Sequence, residues 1–337
     1  MQKILVTGGM GYIGSHTIID LIDHGFEVVS VDNLSNATEL PLEKIEAITG
    51  QQIQNYVVDL VDLEATRQIF ADHSDIVGII HFAALKLVGE SVEKPLAYFN
   101  NNLNSLLNII TCMQEYEVPH LIFSSSCSVY GNAEELPVTE ATPMGEAESP
   151  YARTKQMGEQ ICNDVANIAK QLNFVLLRYF NPAGAHESGL LGESPANKPS
   201  NLVPVITETA IGKREKMTVF GADYDTRDGS CVRDYIHIMD LANAHTKAIQ
   251  YLLAGKNESN LEVFNLGIGS GVTVLEAIKA FETTSGQKLN YEIGPRRPGD
   301  VIAIYANLEK ASHQLGWTPS RNIEDIMQTA WAWEQKR

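Results

Sequence analysis

The sequence predicts an α/β fold, a doubly wound parallel sheet followed by a smaller, mixed C-terminal domain. Three observations carry that prediction. Short apolar runs alternate with helical patterns through the first half. A glycine-rich turn joins the first run to the first helix. A Gly- and Pro-rich connection then opens a segment of shorter, mixed signals.

Ile4-Leu5-Val6, Val28-Val29-Ser30-Val31, Tyr56-Val57-Val58 and Ile76-Val77-Gly78-Ile79-Ile80 read as buried strands, and Leu121-Ile122-Phe123 and Phe174-Val175-Leu176-Leu177 continue the series. None has the polar alternation of a sheet with one wet face, so helices must cover both sides, as in parallel sheets. Right-handed crossovers then give the doubly wound arrangement. The first helical stretch follows Gly14, carries Ile18, Leu21 and Ile22, and ends at Gly25. Pro182, Gly184, Gly189, Gly192, Pro195, Pro199 and Pro204 make Asn181–Pro204 a loop-rich connection. We therefore expect domains at residues 1–181 and 182–337 with a soft boundary. Within the segment near 233–267, Val263-Phe264-Asn265-Leu266-Gly267 can return a strand to the first sheet.

The chain of 337 residues is 44% hydrophobic and 20% charged, the balance of a globular enzyme. A formal charge of −17 argues against nucleic acid or an anionic membrane as partner, since both need a basic face. Cys112, Cys127, Cys162 and Cys231 form no CxxC pair, which suits thiols in a reducing compartment. Met1 runs almost directly into the first strand, and no run of apolar residues is long enough to span a bilayer. The expectation is a cytoplasmic protein without a metal: the His16/Asp20 and His237/Asp240 pairs share helical spacing but lack a third ligand.

Thr7-Gly8-Gly9-Met10-Gly11-Tyr12-Ile13-Gly14 follows the first strand and opens the first helix. Glycines at 8, 11 and 14 permit a tight turn and let a pyrophosphate approach the helix N-terminus. The spacing is G-x-x-G-x-x-G, which alone fits a plain loop as well. Asp32, at the end of the second strand, supplies the context. A carboxylate there bonds the ribose hydroxyls of a dinucleotide and repels a 2′-phosphate, which favours NAD over NADP. Asp59, ending the third strand, is placed to meet the adenine. His81-Phe82-Ala83-Ala84 ends the fourth at the carboxyl edge where ligands of such sheets sit, although Phe82 serves equally as core packing.

Ser149-Pro150-Tyr151 starts a helix, with serine as N-cap and proline at the first position. Tyr151 and Lys155 then lie one turn apart on a face different from the apolar stripe Met157, Ile161 and Val165. A free tyrosine has a pKa of about 10, so about one in a thousand is ionised at neutral pH. A nearby ammonium and an oxidised nicotinamide favour the phenolate, and a shift to about 7 corresponds to roughly 4 kcal/mol. Such a Tyr151 is a competent base for an alcohol proton while hydride leaves for NAD. Phe123-Ser124-Ser125-Ser126-Cys127 carries the fifth strand past the sheet edge, where a hydroxyl can hold an oxygen cycling between alcohol and ketone.

The glycine turn, the serine stretch and Tyr-x-x-x-Lys together resemble the extended short-chain dehydrogenase/reductase family. Leu85–Ser91, Arg178-Tyr179-Phe180-Asn181-Pro182, Asn201-Leu202, Val232–His237 and Arg296–Asp300 resemble the UDP-glucose (UDP-galactose) 4-epimerases within it, and the match runs from the first strand to the final helix. The resemblance implies that Ser126, Tyr151 and Lys155 are catalytic. It assigns Gly8, Gly11, Tyr12, Ile13, Gly14, Asp32, Asn33, Asp59, Leu60, Phe82, Ala83, Ala84, Lys86, Asn101 and Phe180 to an NAD site, with Tyr151 and Lys155 touching the cofactor too. Ser126, Asn181, Asn201, Leu202, Phe220, Arg233, Arg297, Asp300 and Ile304 then hold the UDP-sugar, and the arginines suit a diphosphate. The implied activity is reversible epimerisation at C4 through a 4-keto sugar, in galactose and nucleotide-sugar metabolism. A homodimer through the helices around Leu103–Gln114 and Met157–Ala169 is also implied.

Some positions depart from that family. Ala84 and Ser105 stand where glycine is common, and Asn307 where aspartate is frequent. Ile304 occupies a sugar-pocket position filled elsewhere by tyrosine or a smaller residue, which suggests that N-acetylhexosamine forms are accepted. A one-residue slip would put Tyr305 there instead. The rival enzyme, a nucleotide-sugar 4,6-dehydratase, needs an acidic pair, and Ser126-Cys127-Ser128 offers none. A non-catalytic NAD sensor has no use for an intact Tyr-Lys pair.

Overall fold

Seven parallel strands form the central sheet of the computed structural model, which describes residues 1–194, 199–297 and 301–337. Strand β1 (Lys3–Thr7) leads through helix α1 (Tyr12–Asp23) to β2 (Glu27–Val31), and α2 (Leu40–Thr49) leads to β3 (Gln54–Tyr56). Helix α3 (Leu63–Asp72) crosses back to β4 (Ile76–His81); α4 (Val88–Glu93) and α5 (Pro95–Glu115) precede β5 (His120–Ser124). Helix α6 (Pro150–Ile168) then delivers β6 (Asn173–Tyr179). The spatial order β11-β6-β5-β4-β1-β2-β3 includes β11 (Leu261–Leu266), which pairs in parallel with β6. The order reverses between β1 and β4, so their carboxyl ends open a ligand crevice.

Helices sort onto the two faces by what they can bury. Ile18, Ile19 and Leu21 of α1 pack with Leu241, Ala248 and Ile249 of α8 (Ile238–Leu253) over Ile4, Val6 and Ile80. The other face stacks Ile69 and Phe70 of α3, Ile109 and Met113 of α5, and Cys162 and Ala166 of α6 on Leu5, Ile79 and Leu121. Each fully buried Leu, Ile, Val, Phe or Met side chain among these contributes about 1.5–3 kcal/mol before entropy is counted.

The remaining strands are short: β7 (Asn181–Ala183), β8 (Met217–Phe220), β9 (Val232–Arg233), β10 (Tyr235–His237), β12 (Val272–Thr273), β13 (Tyr291–Gly294) and β14 (Ala303–Ile304). Helices α7 (Leu202–Ala210), α9 (Val274–Ser285) and α10 (Ile323–Glu334) surround a separate apolar cluster that includes Ile206, Phe281 and Met327. Buried Asp234 ties this part to the sheet edge. Its carboxylate accepts from the amides of Ile268 (2.7 Å), Gly269 (3.1 Å) and Ala306 (3.0 Å).

Three expectations need correction. The third strand is Gln54–Tyr56, not 56–58: it pairs only with β2, and Val57 is 56% exposed. Asp59 therefore lies beyond the strand rather than at its end. The first helix begins at Tyr12, so Gly14 lies inside its first turn. On α6 the face turned inward carries Lys155, Gly158, Glu159 and Cys162, whereas Met157 is 40% exposed. The buried Tyr-Lys face thus has ionic partners that a purely apolar stripe does not reveal.

Candidate active site

The turn after β1 is built on glycine for steric reasons. Gly8 has φ +68°, and a Cβ on Gly14 would sit 2.3 Å from the Gly8 carbonyl oxygen. A Cβ on Gly8 would meet the Ala83 amide nitrogen at 2.8 Å, so the β1 and β4 loops touch across the crevice. Gly11 stands at the N-cap of helix α1 and offers no side-chain cap, leaving the amides of the first turn for an anion. Asp32 follows β2. Its carboxylate accepts from Met10 N at 3.1 Å and Leu34 N at 2.9 Å, and burial pushes its pKa up while these amides pull it back. A turn that excludes side chains, beside a carboxylate with no cation next to it among the described residues, fits NAD.

The same edge gathers more of the expected residues. Tyr12 donates to Gly184 O at 2.7 Å, and Ile13 packs beside the α1 core. Asn33 caps its own loop at Ser35 N, and exposed Asp59 accepts from Val61 N beside buried Leu60. The Phe82 ring lies 4.6 Å from the His245 ring, tilted by 55°, and Ala83 N donates to Thr7 Oγ1. Ala84 is half-buried and Lys86 is exposed on the same loop. Asn101 Nδ2 donates to Asn102 Oδ1, whose amide in turn bonds Leu85. Phe180, buried at the end of β6, completes that side.

Ser149 caps α6, accepting from Ala152 N at 3.1 Å, and so fixes Tyr151 in the first turn. The Ser126 side chain reaches the Tyr151 phenol and also accepts from Ser128 N at 3.2 Å. Lys155 Nζ donates to Ser124 O at 2.6 Å and lies 5.9 Å from the Tyr151 ring centroid. Burial pushes the Tyr151 phenol up to about 12, with Ser126 acting against it, and lowers Lys155 to about 8. The chain alone therefore moves the tyrosine away from the expected value near 7, because desolvation of a phenolate outweighs one hydrogen bond.

Residues expected for the sugar nucleotide lie along the C-terminal strands. Arg233 on β9 donates to the carbonyls of Val232 (2.9 Å) and Val301 (2.6 Å) and faces Ile304 in register on β14. Arg297 stacks 4.6 Å over the Phe220 ring, a cation–π pair with one flat face. Asn181 N donates to Asp234 O, and Asn201 begins α7 beside Leu202. Ile304 is buried with Phe180, Val129 and Tyr130 next to Cys127, and Tyr305 packs beside Gly271. Asp300 lies outside the described residues.

Two groups escaped the sequence reading. Glu193 accepts from Asn201 Nδ2 at 2.9 Å, with Lys86 and Tyr12 in its field. The Tyr179 and Ser124 hydroxyls bond each other, with Tyr151 near enough to act on Tyr179. Tyr179 stood inside the quoted run Arg178–Pro182, next to Phe180, without a role assigned to it; nothing local marks Glu193.

The sequence matches the family model described as GDP-mannose 4,6 dehydratase over residues 5–330. It is 46% identical over 333 residues to UDP-glucose 4-epimerase of Bacillus subtilis (strain 168), covering 99% of this chain and 97% of that protein. The chain belongs to the UDP-glucose 4-epimerase family. In three dimensions it resembles the family's crystal structure from Bifidobacterium longum, solved in complex with NAD+ and UDP. That likeness has a TM-score of 0.94 and 46% identity, covering 99% of this chain and 98% of that one. It also resembles the epimerase from Stenotrophomonas maltophila with bound NAD and formylated UDP-arabinopyranose, with a TM-score of 0.96, 41% identity, and 100% and 98% covered. Within this epimerase family the turn after β5 carries Ser126, Cys127 and Ser128 here, with no acidic pair of the dehydratase kind.

Proposed function

We propose that the protein is an isomerase that interconverts UDP-glucose and UDP-galactose by NAD-dependent epimerisation at C4. The observation that carries this is the convergence of Tyr151, Ser126 and Lys155 at the edge that also holds the glycine turn and Asp32. Ser126 bonds the sugar 4-oxygen, and Tyr151 removes the proton of that oxygen and returns it to the same oxygen once the 4-keto sugar has turned over, so that C4 regains its hydrogen on the opposite face. Lys155, anchored to Ser124 O, keeps a cation beside that exchange. Bound NAD supplies the reversible hydride acceptor for C4 and, when oxidised, a positive charge that favours the phenolate.

Gly8, Gly11, Gly14 and Asp32 would hold the pyrophosphate and ribose of NAD, with Lys86, Asn101 and Phe180 closing the site. Arg233 and Arg297 are suited to the diphosphate of UDP, and Phe220 to the uracil face. Anchoring UDP firmly leaves the sugar free to turn between its two faces. Ile304 removes both the bulk and the hydroxyl of a tyrosine, which supports turnover of UDP-N-acetylglucosamine as well.

Residues 1–181 then serve chiefly the dinucleotide and 182–337 chiefly the UDP-sugar, with β11 returned to the first sheet. Exposed Leu107 on α5 and Met157 and Ile168 on α6 support a homodimer through those helices. No described helix is long and apolar enough to cross a membrane, which is compatible with a cytoplasmic setting. The deciding experiment incubates the purified protein with UDP-glucose, UDP-galactose and their N-acetylated forms and separates the products. Absence of any C4 epimer overturns the proposal.

A further inference from the structure

One turn beyond Lys155, α6 buries a carboxylate that the reaction just described does not use. Glu159 and Arg178 form an ion pair at 2.6 Å with side chains 2% and 6% exposed. Arg178 meets the carboxylate through Nε and Nη2 together, and its third nitrogen donates to Tyr130 Oη at 3.1 Å. Tyr130 passes the chain on to Asn265 Oδ1 at 2.6 Å, so the pair is locked into β6, β11 and the 3₁₀ turn Cys127–Tyr130. The remaining capacity of Glu159 goes to the Ser125 hydroxyl, which donates to it.

That last bond matters because Ser125 lies between the two serines that the site uses. Ser124 is held through its carbonyl by Lys155 and through its hydroxyl by Tyr179. Ser125 is held through its amide by Leu177 O at 2.9 Å and through its hydroxyl by Glu159. The Ser126 side chain is left to face Tyr151. A buried ion pair is a costly way to stabilise a fold, since apolar residues of similar size often do as well, so its placement invites a positional reading.

We propose that the Glu159–Arg178 pair is the positioning element of the active site, fixing the Ser124–Ser126 turn from below and setting the negative charge that faces the Lys155 ammonium. This rests on the catalytic reading of Tyr151, Lys155 and Ser126 above. Its electrostatic half follows from the surroundings of Lys155. The titratable groups facing it are Tyr151 and Glu159 on α6 and His81 on β4. The Phe123 ring on β5 lies 5.1 Å from Nζ, and Arg178 on β6 acts through Glu159. His81 is neutral above about 3, so Glu159 is the anion among these groups. Its charge works against the burial that lowers Lys155. Without it, Lys155 loses its proton at lower pH and the cation beside Tyr151 disappears earlier.

The test compares wild type, Glu159→Gln and the double variant Glu159→Gln/Arg178→Met, all with cofactor bound. The double variant leaves no unpaired buried guanidinium, so it reads the effect where the single variant misfolds. Both are expected to lose roughly 10²-fold in kcat, as a site shifted by a fraction of an ångström does, with KM for UDP-glucose nearly unchanged. The alkaline limb of the kcat profile should move down by about one pH unit, the scale of one neighbouring charge. NAD released on denaturation and UDP affinity by calorimetry should match wild type. A folded double variant with the wild-type alkaline limb, or with wild-type kcat, overturns the proposal. A wild-type protein that forms no C4 epimer instead overturns the catalytic reading on which it rests.

Discussion

Lys155 points its ammonium at the carbonyl oxygen of Ser124, 2.6 Å away, rather than at the Tyr151 hydroxyl. The lysine therefore ties α6 to the end of β5, with its ammonium 5.9 Å from the Tyr151 ring centroid. Its burial makes the proton easy to lose, and the geometry around it sets most of what can be tested.

Tyr151→Phe should fold, retain NAD and lose turnover by about 10²–10⁴-fold, the usual cost of a missing positioned base. Retention of more than a tenth of wild-type rate would remove Tyr151 from its role. Thermal unfolding and cofactor release of the variant check that the loss is chemical.

The pH dependence follows from Lys155, which burial lowers to about 8. Below that value the ammonium is present and supports the phenolate; above it that support is lost. Activity should fall as pH rises through about 8, and Lys155→Met should be slow throughout with no such limb. For stability the sign is opposite. The unfolded lysine keeps its proton to higher pH, so between the folded value and the ordinary 10.5 this group makes the fold more stable as pH rises. Urea unfolding across that interval measures it.

Asp32 predicts the dinucleotide. Denatured protein should release NAD without a 2′-phosphate, because the carboxylate has amide partners and no described cation beside it. Chromatography of the released cofactor decides; NADP in the supernatant contradicts the assignment.

Gly14→Ala tests the turn. The added methyl would sit 2.3 Å from the Gly8 carbonyl, and backbone cannot yield as a flexible side chain can. We expect a loss of about 1–3 kcal/mol in stability, in the range of overpacking, together with most of the bound NAD. Calorimetry and cofactor content report the two effects separately.

Ile304→Tyr should depress turnover of UDP-N-acetylglucosamine much more than that of UDP-glucose. Ile304 is buried against Phe180 and next to Cys127, so a larger ring there takes space on the site's side of β14. Equal changes in both rates, or a wild type that ignores the N-acetylated sugar, disproves this reading of the position.

The alternation of apolar runs and helices made the parallel sheet legible, because burial on both faces leaves a sequence pattern that does not depend on neighbours. Ser149, Pro150 and the Tyr151–Lys155 spacing were legible for a similar reason: helix starts are chemically specified within a few residues. The third strand was misplaced by two residues, since an edge strand is set by its single partner rather than by its own valines.

What the sequence by itself determined was therefore local: the strands, the glycine turn, the helix cap and the identities of the reacting groups. Tertiary structure alone decided which face of α6 turns inward, where buried Glu159 is paired with Arg178, nineteen positions away on strand β6. It also decided that Lys155 bonds Ser124, and that the tyrosine is desolvated beyond what its hydrogen bond to Ser126 offsets. The reason is physical: a charge's environment in a protein is made by groups distant in sequence, and neither desolvation nor a long-range ion pair leaves a mark within one turn of helix.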